Sequence, residues 1–331
     1  MLLRSCALLI MNDILFWIIF NVFVLLLLGL DLFVFHRKEH EIKIKEALLT
    51  SLFWILLALG FNVLIYFWKG PDSALEFFTG YLIEKSLSVD NLFVFILIFN
   101  YFKVPLKYQH NLLFWGVLGA LVLRGIFILV GVALIAKFHF IIYILGAFLV
   151  FTGIKMAFTK DQDVDPEHNP LVNWVSRHIR VTKTAVGGKF FIKQNGKLFA
   201  TPLFLVLIMI ESTDVVFAAD SIPAILAISK DPFIVYTSNV FALLGLRALY
   251  FALAGIMQLF HYLHYGLSVI LTFIGVKLLL SDIYHLDMRV ALLVVGGILA
   301  VSVIASLLFP KPAEELPELP LEDKKHDEKV K

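Results

Sequence analysis

The chain has 331 residues, of which 60% are hydrophobic and 16% charged, with a mean hydropathy of +0.90. Average soluble domains are nearer half apolar and a quarter charged, so this is the composition of a polytopic membrane protein. A net charge of +2 spread over loops and helix ends argues against a nucleic-acid partner, and the single cysteine, Cys6, excludes an internal disulfide, a CxxC redox pair and a thiolate metal cluster.

The first apolar run follows Asn12 and Asp13 and reaches Phe35, longer than a signal-peptide core and without a small-residue cleavage site, so it reads as a retained span. With this run at 14–35, further runs near 48–69, 74–102, 111–136, 138–158, 199–229, 232–259, 264–281 and 288–309 make nine predicted spans, each able to cross ~30 Å of hydrocarbon. The expected fold is an all-α polytopic membrane helix bundle. Of the Lys and Arg residues, 19 fall in connections 36–47, 103–110, 155–198, 260–263 and the tail, against 5 on the other side. The positive-inside rule then puts the N-terminus outside and the C-terminus in the cytoplasm.

The long loop 159–198 opens with an acidic run from Asp161 to Glu167, whose D-x-D-x-D spacing lacks the glycine and glutamate of a calcium loop, having Pro166 and Val172 there. It reads as a solvated acidic loop. Later in the loop, Asn195-Gly196 between apolar flanks predicts a small hairpin. From Pro310 the chain has little to bury, so the transmembrane domain is expected over 14–309, followed by a disordered cytoplasmic tail at 310–331.

An internal repeat underlies the spans. Asp90 is followed by Arg124 and then Gly153-Ile154-Lys155, while Asp214 is followed at nearly equal intervals by Arg247 and then Gly275-Val276-Lys277. Each unit holds three spans, 3–5 and 6–8, and an odd number forces the second copy to enter from the opposite side. The repeat is therefore inverted, as in many secondary transporters whose sites lie near the midplane, often on broken helices. Span 6 suits such a break, because Pro223 frees the carbonyl of Ala219 beside Asp220.

Span 6 also carries Glu211, Asp214 and Asp220 inside an otherwise apolar run. Three acids at helix centres cost roughly 8–10 kcal/mol uncompensated, and intramembrane acids mark ion or proton paths. Helical geometry puts Glu211, Asp214, Ala218 and Ser221 on one face, with Asp220 opposite unless the helix unwinds before Pro223. On span 3, Glu84, Ser88 and Asn91 share a face, with Asp90 and Ser86 a quarter-turn or more away. Five deep acids (Glu84, Asp90, Glu211, Asp214, Asp220) face three deep bases (Lys85, Arg124, Arg247), a deficit that one divalent cation or two protons would cancel. Carboxylate, amide and hydroxyl oxygens suit hard ions such as Mg²⁺, Ca²⁺ or Mn²⁺.

Each residue also has a purely structural reading. Arg124 and Arg247 are read as counter-charges locking helices to Asp90 and Asp214; Lys85 either pairs with an acid on a neighbouring helix or serves the site. Asn239 is a ligand or an interhelical hydrogen bond, and Lys277 snorkels to the interface. Asp31 lies at the cytoplasmic end of its span, within reach of water. His36, His40, His261, His264 and His285 read as surface residues, and the 32 phenylalanines as lipid-facing and packing residues.

At Gly80 through Asn91, at Glu211 through Ile225, and from Asp231-Pro232-Phe233-Ile234 through Asn239 to Arg247, the chain resembles the TerC family, specifically its Alx-like members, over about 14–309. The resemblance implies an inner-membrane protein of metal-ion homeostasis, with manganese export as its activity; tellurite resistance and membrane-bound redox modulation are further labels of such sequences. The expectation is thus a transporter binding a divalent cation, Mn²⁺, at Asp90, Asn91, Glu211, Asp214 and Asp220, with Glu84 as ligand or proton carrier. Lys85, Ser88, Arg124, Arg247, Asn239, Ser221 and Pro223 are expected in support, with protons as coupling ion and no tightly bound cofactor. A membrane scaffold that partners other membrane proteins is the alternative. No nucleophile–base pair or cofactor motif points to an enzyme.

Overall fold

The computed structural model describes residues 2–30, 44–138, 140–158, 170–182, 188–194, 196–254, 262–284 and 286–309. Asp31, the acidic run 161–167, the tail and all of the five histidines named above except His264 lie outside the described residues. The first 41 residues form one unit, whose helix α1 (Leu2–Leu30) is built from leucine, isoleucine and phenylalanine with no proline.

The second unit holds everything else that is described. In chain order it comprises α2 (Ile44–Lys69), α3 (Pro71–Tyr101), α4 (Leu106–Lys137), α5 (Ile141–Phe158) and the short α6 (Pro170–His178). Strands β1 (Phe191–Gln194) and β2 (Lys197–Ala200) follow, then α7 (Pro202–Leu226), α8 (Pro232–Leu243), α9 (Leu246–Ala254), α10 (Leu263–Leu279) and α11 (Met288–Leu308). The strands pair antiparallel, Phe191 opposite Ala200, and Gly196 in the turn has φ +76°.

Helices α3, α7 and α8 each begin with a proline, whose missing N–H costs nothing in a first turn. The Asp231 side chain caps α8 by accepting from the amides of Phe233 and Ile234. Between α8 and α9 the chain bends by 40°. The bend falls at Gly245, whose φ of +80° is open to glycine at little cost, and a Cβ there would meet Trp54 Cγ at 2.6 Å.

The chain is therefore an all-α polytopic membrane protein, with one small hairpin among the described residues. Every predicted span has a helix, or the bent α8–α9 pair, at its place. Five described helices are long and apolar enough to cross a membrane, six with the bent pair counted as one, so the number nine is not itself established. Helix α3 is long enough but carries Glu84, Lys85 and Asp90 together; α10 is shorter. Large apolar side chains such as Leu56, Phe67, Leu293 and Val301 are exposed on the outer surfaces of α2 and α11, as lipid contact requires.

Packing follows a pseudo-two-fold. Helix α3 packs on α8, α4 on α7, and α5 on α10 more extensively than any other pair. Exchanging α3–α5 with α7–α10 leaves this pattern unchanged. The symmetry extends to atoms at the α5–α10 seam. A Cβ on Gly153 would meet the carbonyl oxygen of Ser268 and the amide of Thr272, both at 2.8 Å. One on Gly275 would meet the carbonyl oxygen of Gly146 and the amide of Val150, also at 2.8 Å. A shift of 122 residues relates all three pairs: 153 to 275, 146 to 268 and 150 to 272. Two helices can approach this closely only where side chains are absent, the small-residue mode of membrane helix packing.

Candidate functional site

The four elements α3, α4, α7 and α8 converge on one guanidinium. Arg124, from the middle of α4, is 1% exposed, although it carries a full charge. Its Nη2 donates to Asp214 Oδ1 at 2.9 Å and its Nε to Asp214 Oδ2 at 3.3 Å, the fork geometry in which arginine binds carboxylate best. Its Nη1 forms an ion pair with Glu84 Oε1 and reaches Asn239 Oδ1 at 3.5 Å. Arg124 and Glu84 belong to the first repeat, Asp214 and Asn239 to the second, so the clasp crosses the pseudo-two-fold.

The faces expected from helical periodicity are the buried ones. Glu84 and Ser88 are fully buried and Asn91 nearly so; on α7, Asp214, Ala218 and Ser221 are buried and Glu211 half-buried. The Glu211 carboxylate lies against Gly119 of α4, where a Cβ would overlap it. On the clasp residues and on the same helix faces of α3 and α7, Glu84 Oε2, Ser88 Oγ, Glu211 Oε2, Ser221 Oγ and Asn239 Nδ2 are buried without a hydrogen-bond partner. Each such orphan costs roughly 1–3 kcal/mol, so these faces hold polar groups prepared for a polar guest.

Other expected site residues lie elsewhere. Asp220 turns toward α5, where Thr152 hydrogen-bonds it and Lys155 lies nearby. Its departure from Asp214 has a simple cause: α7 runs unbroken through Pro223, so the expected unwinding before Pro223 does not occur and the two acids keep the opposed directions of a regular helix. The break in the second repeat is at Gly245 instead. Arg247, two residues beyond it, is buried at 4%. Among the described residues Lys85 pairs with no acid. Its Nζ donates to the carbonyl of Ala242 at 3.2 Å, in the last turn of α8, where the break leaves carbonyls in need of a donor. The side chain of Asp90 lies outside the described residues. Among the described residues no three His, Cys, Asp or Glu side chains are gathered closely enough to hold a metal ion. The guanidinium between Glu84 and Asp214, and the turn of Asp220 toward α5, account for that.

Sequence reasoning passed over Glu76, Gly119 and Thr152. Glu76 lines a cavity of about 390 Å³ at the end of the bundle where α4 and α7 finish and α5 begins. Pro223, Lys230, Lys277 and Asp282 line it too. Ser229 Oγ donates to Glu76 at 2.5 Å, and Lys277 Nζ reaches the carbonyl of Ala227 at 3.4 Å, so Lys277 is turned inward rather than simply snorkelling. An acid between Leu75 and Phe77, inside the apolar run that starts at Ala74, was the available signal for Glu76.

The model of the integral membrane protein TerC family matches residues 69–314. A Myxococcus xanthus protein named uncharacterized membrane protein STKORF319 is 48% identical over 90% of this chain and 93% of its own. Alx of Escherichia coli (strain K12), a protein named for membrane-bound redox modulation, is 49% identical over 88% of this chain and 93% of its own. An uncharacterized membrane protein of Rickettsia bellii (strain RML369-C) is 43% identical, covering 88% and 97%. No solved structure matches the chain.

Proposed function

The chain belongs to the TerC family of integral membrane proteins, as an Alx-like member, and from that premise we propose that it exports a divalent cation, Mn²⁺, across the inner membrane. The observation that carries this reading is the set of orphaned oxygens, Glu84 Oε2, Ser88 Oγ, Glu211 Oε2 and Ser221 Oγ, on the helix faces of α3 and α7 that also carry the acids of a guanidinium bridging the two repeats. A hard cation is the guest that carboxylate, hydroxyl and amide oxygens suit. Glu84, Asp90, Asn91, Glu211 and Asp214 are the ligand set in this reading, with Asp220 a later station on the path beside Thr152. The arriving ion would take Asp214 and Glu84 from Arg124, so occupancy would loosen the clasp between the repeats. Rocking one repeat against the other then exposes the ion to the far side, and carboxylate protonation returns the carrier empty. The N-terminus is outside and the cytoplasmic side carries loop 159–198. No catalysis and no tightly bound cofactor belong to this function, and a single cysteine leaves no dithiol for the redox role in the relatives' name.

The test is cellular manganese under manganese excess, in cells lacking their own exporters, with wild type compared with Asp214→Asn at matched membrane abundance. The wild type should lower manganese and the variant should not. A second reading, a membrane scaffold whose acids only form ion pairs, is favoured by the Arg124–Asp214 bond itself. It predicts that neither protein changes manganese while loop 159–198 remains indispensable to its partners. That outcome would remove the transport reading.

A further inference from the structure

Between Glu167 and Glu211 the sequence has six cationic residues, Arg177, Arg180, Lys183, Lys189, Lys193 and Lys197, and no Asp or Glu. The described parts of this stretch, α6 and the hairpin, are tied to the end of the bundle where α4 and α7 begin. A Cβ on Gly188 would meet the Tyr108 ring at 3.0 Å, and Asn111 Nδ2 donates to the Gly188 carbonyl at 3.4 Å. Phe190 meets Trp115 of α4 at 6.5 Å, and Phe191 meets Phe204, in the first turn of α7, at 4.6 Å. The exit of α6 joins β2, where the Ala200 amide donates to the carbonyl of Arg180 at 2.9 Å.

That end of α4 crosses a membrane interface. The helix has 32 residues. At 1.5 Å per residue it is about 48 Å long, more than the ~30 Å of hydrocarbon. Lys107, Gln109, His110 and Asn111 precede a run from Leu112 to Ala136 whose one charge is Arg124, so the hydrocarbon begins near Leu112. Trp115, exposed and one turn inside that boundary, has the place of an aromatic-belt residue. The hairpin that touches it therefore lies at headgroup level.

Both elements turn apolar side chains outward among the cations. Lys193 pairs with Leu198 across the hairpin and Phe191 is two residues from Lys193, so the three share a face. All three are exposed, Leu198 at 66%. On α6, which packs on α7, Val172 and Val175 are buried, whereas Leu171, Trp174 and His178 form an exposed stripe with Arg177 beside it. The Trp174 ring, 57% exposed, stacks on His178 at 4.7 Å. Apolar tips set among unopposed cations, at headgroup level, match an anionic lipid surface in both shape and charge.

We propose that α6 and the hairpin are a docking platform for anionic phospholipid headgroups, in the leaflet where α4 and α7 begin. Lys189, Lys193, Lys197, Arg177 and Arg180 meet the headgroup phosphates, while Leu198, Phe191 and Trp174 enter the boundary between headgroups and acyl chains. The platform thereby fixes the starts of α4 and α7, the helices that carry Arg124 and Asp214, against the bilayer. This rests on the chain spanning a membrane and not on the identity of the ion.

The test uses the full chain with Cys6→Ser, in nanodiscs of phosphatidylcholine with and without phosphatidylglycerol. Leu198→Cys and Gln194→Cys lie on opposite faces of the hairpin, both at exposed positions, and each carries a fluorescent label. The label is quenched from water by acrylamide, which is neutral, or from the bilayer by a lipid spin-labelled near its headgroup. With phosphatidylglycerol present, the label at 198 should lose acrylamide quenching and gain lipid quenching, while the label at 194 stays open to acrylamide in both discs. Lys189→Gln, Lys193→Gln and Lys197→Gln, at exposed positions, should each lower the docked-to-free ratio at 198 about fivefold. High salt should act in the same direction. An unfolding temperature for each variant shows that the bundle is intact. Quenching at 198 that ignores lipid charge, equal lipid quenching at 194 and 198, or indifference to all three lysine changes overturns the proposal. So does protection at 198 that is lost in either disc on Asp161→Asn, Asp163→Asn, Asp165→Asn and Glu167→Gln together, because the chain's own acidic run then covers the face. Acrylamide reaching 198 freely in both discs leaves the face to a protein or nucleic-acid partner and overturns it as well.

Discussion

The two repeats share a backbone plan and differ in where they put charge and where they break. In the first, α4 runs unbroken from Leu106 to Lys137 and sends Arg124 across to Asp214 of the second. In the second, the matching span is cut at Gly245 into α8 and α9, immediately before Arg247. A second contrast lies where α3 and α7 meet those spans. Lys85 of α3 caps the carbonyl of Ala242, whereas at Gly119, the mate of Ala242, the Glu211 carboxylate of α7 lies against the helix. One half therefore offers a cation at that contact and the other an anion. An exact two-fold would put like charges on both sides of the axis; the departure from it sets opposite charges across the core and still leaves oxygens to spare.

The clasp should dominate any attempt to break this arrangement. Arg124→Gln leaves Glu84 and Asp214 buried without their counter-charge, for which a loss of about 3–5 kcal/mol is expected. Thermal unfolding in detergent and membrane abundance should both fall. Glu84→Gln together with Arg124→Gln should recover part of the loss, because fewer unpaired charges remain. If Arg124→Gln alone unfolds like wild type, the ion pairs do not hold the repeats together.

The break comes next. Gly245→Ala puts a side chain at positive φ and into Trp54, and should cost about 2–4 kcal/mol in unfolding. Its mate Val122 lies in the continuous α4 and is well exposed, so Val122→Gly should cost only the roughly 1 kcal/mol of a glycine in a helix. Equal effects would mean the two spans are not as different as they look. Smaller again is Gly119→Ala, which must push the Glu211 carboxylate aside at roughly 1–3 kcal/mol. The reverse change at the mate, Ala242→Gly, should cost about 1 kcal/mol and leave manganese export intact.

The extent to which this was legible in the sequence depends on the range of the physics involved. Helical periodicity put Glu84, Ser88 and Asn91 on one face and Glu211, Asp214, Ala218 and Ser221 on another, and all of these but the half-buried Glu211 are buried, since spacing along one helix decides which residues share a face. The order Asp, Arg, Gly-x-Lys, written twice, exposed the repeat. What spacing cannot say is which neighbour a face meets. Arg124 and Arg247 were assigned to Asp90 and Asp214; the bond of Arg124 to Asp214 is there, but its pairing with Glu84 was not foreseen, because that contact depends on how α3 packs on the rest. The break was looked for at Pro223, where only one backbone bond near the end of α7 is lost and the helix tolerates it. Gly245 gave no such warning: its context, Leu244-Gly245-Leu246-Arg247, matches Leu121-Val122-Leu123-Arg124 of an unbroken helix, and the need for glycine is visible only in φ and in Trp54 beneath it.

Lys85 gives an effect no larger than these and the finest test of the comparison. Where a membrane helix stops partway, its last carbonyls have no amide to accept from, and in transporters such half-helix ends are places where cations bind. Helix α8 stops at Leu243, and the group that meets the carbonyl of Ala242 is the Lys85 ammonium. The protein thus supplies its own cation at the end of the broken helix, whereas α4, having no end there, needs none and can take Glu211 alongside. Lys85→Met should therefore cost about 1 kcal/mol in unfolding, the worth of one hydrogen bond at a helix C-terminus. Lys85→Arg, which keeps the charge, should cost less. Combining Lys85→Met with Gly245→Ala should be clearly non-additive if the lysine serves the broken end, since both changes act on the same few carbonyls. Simple additivity would mean that Lys85 answers to an acid after all, and that the asymmetry between the repeats lies in the backbone alone.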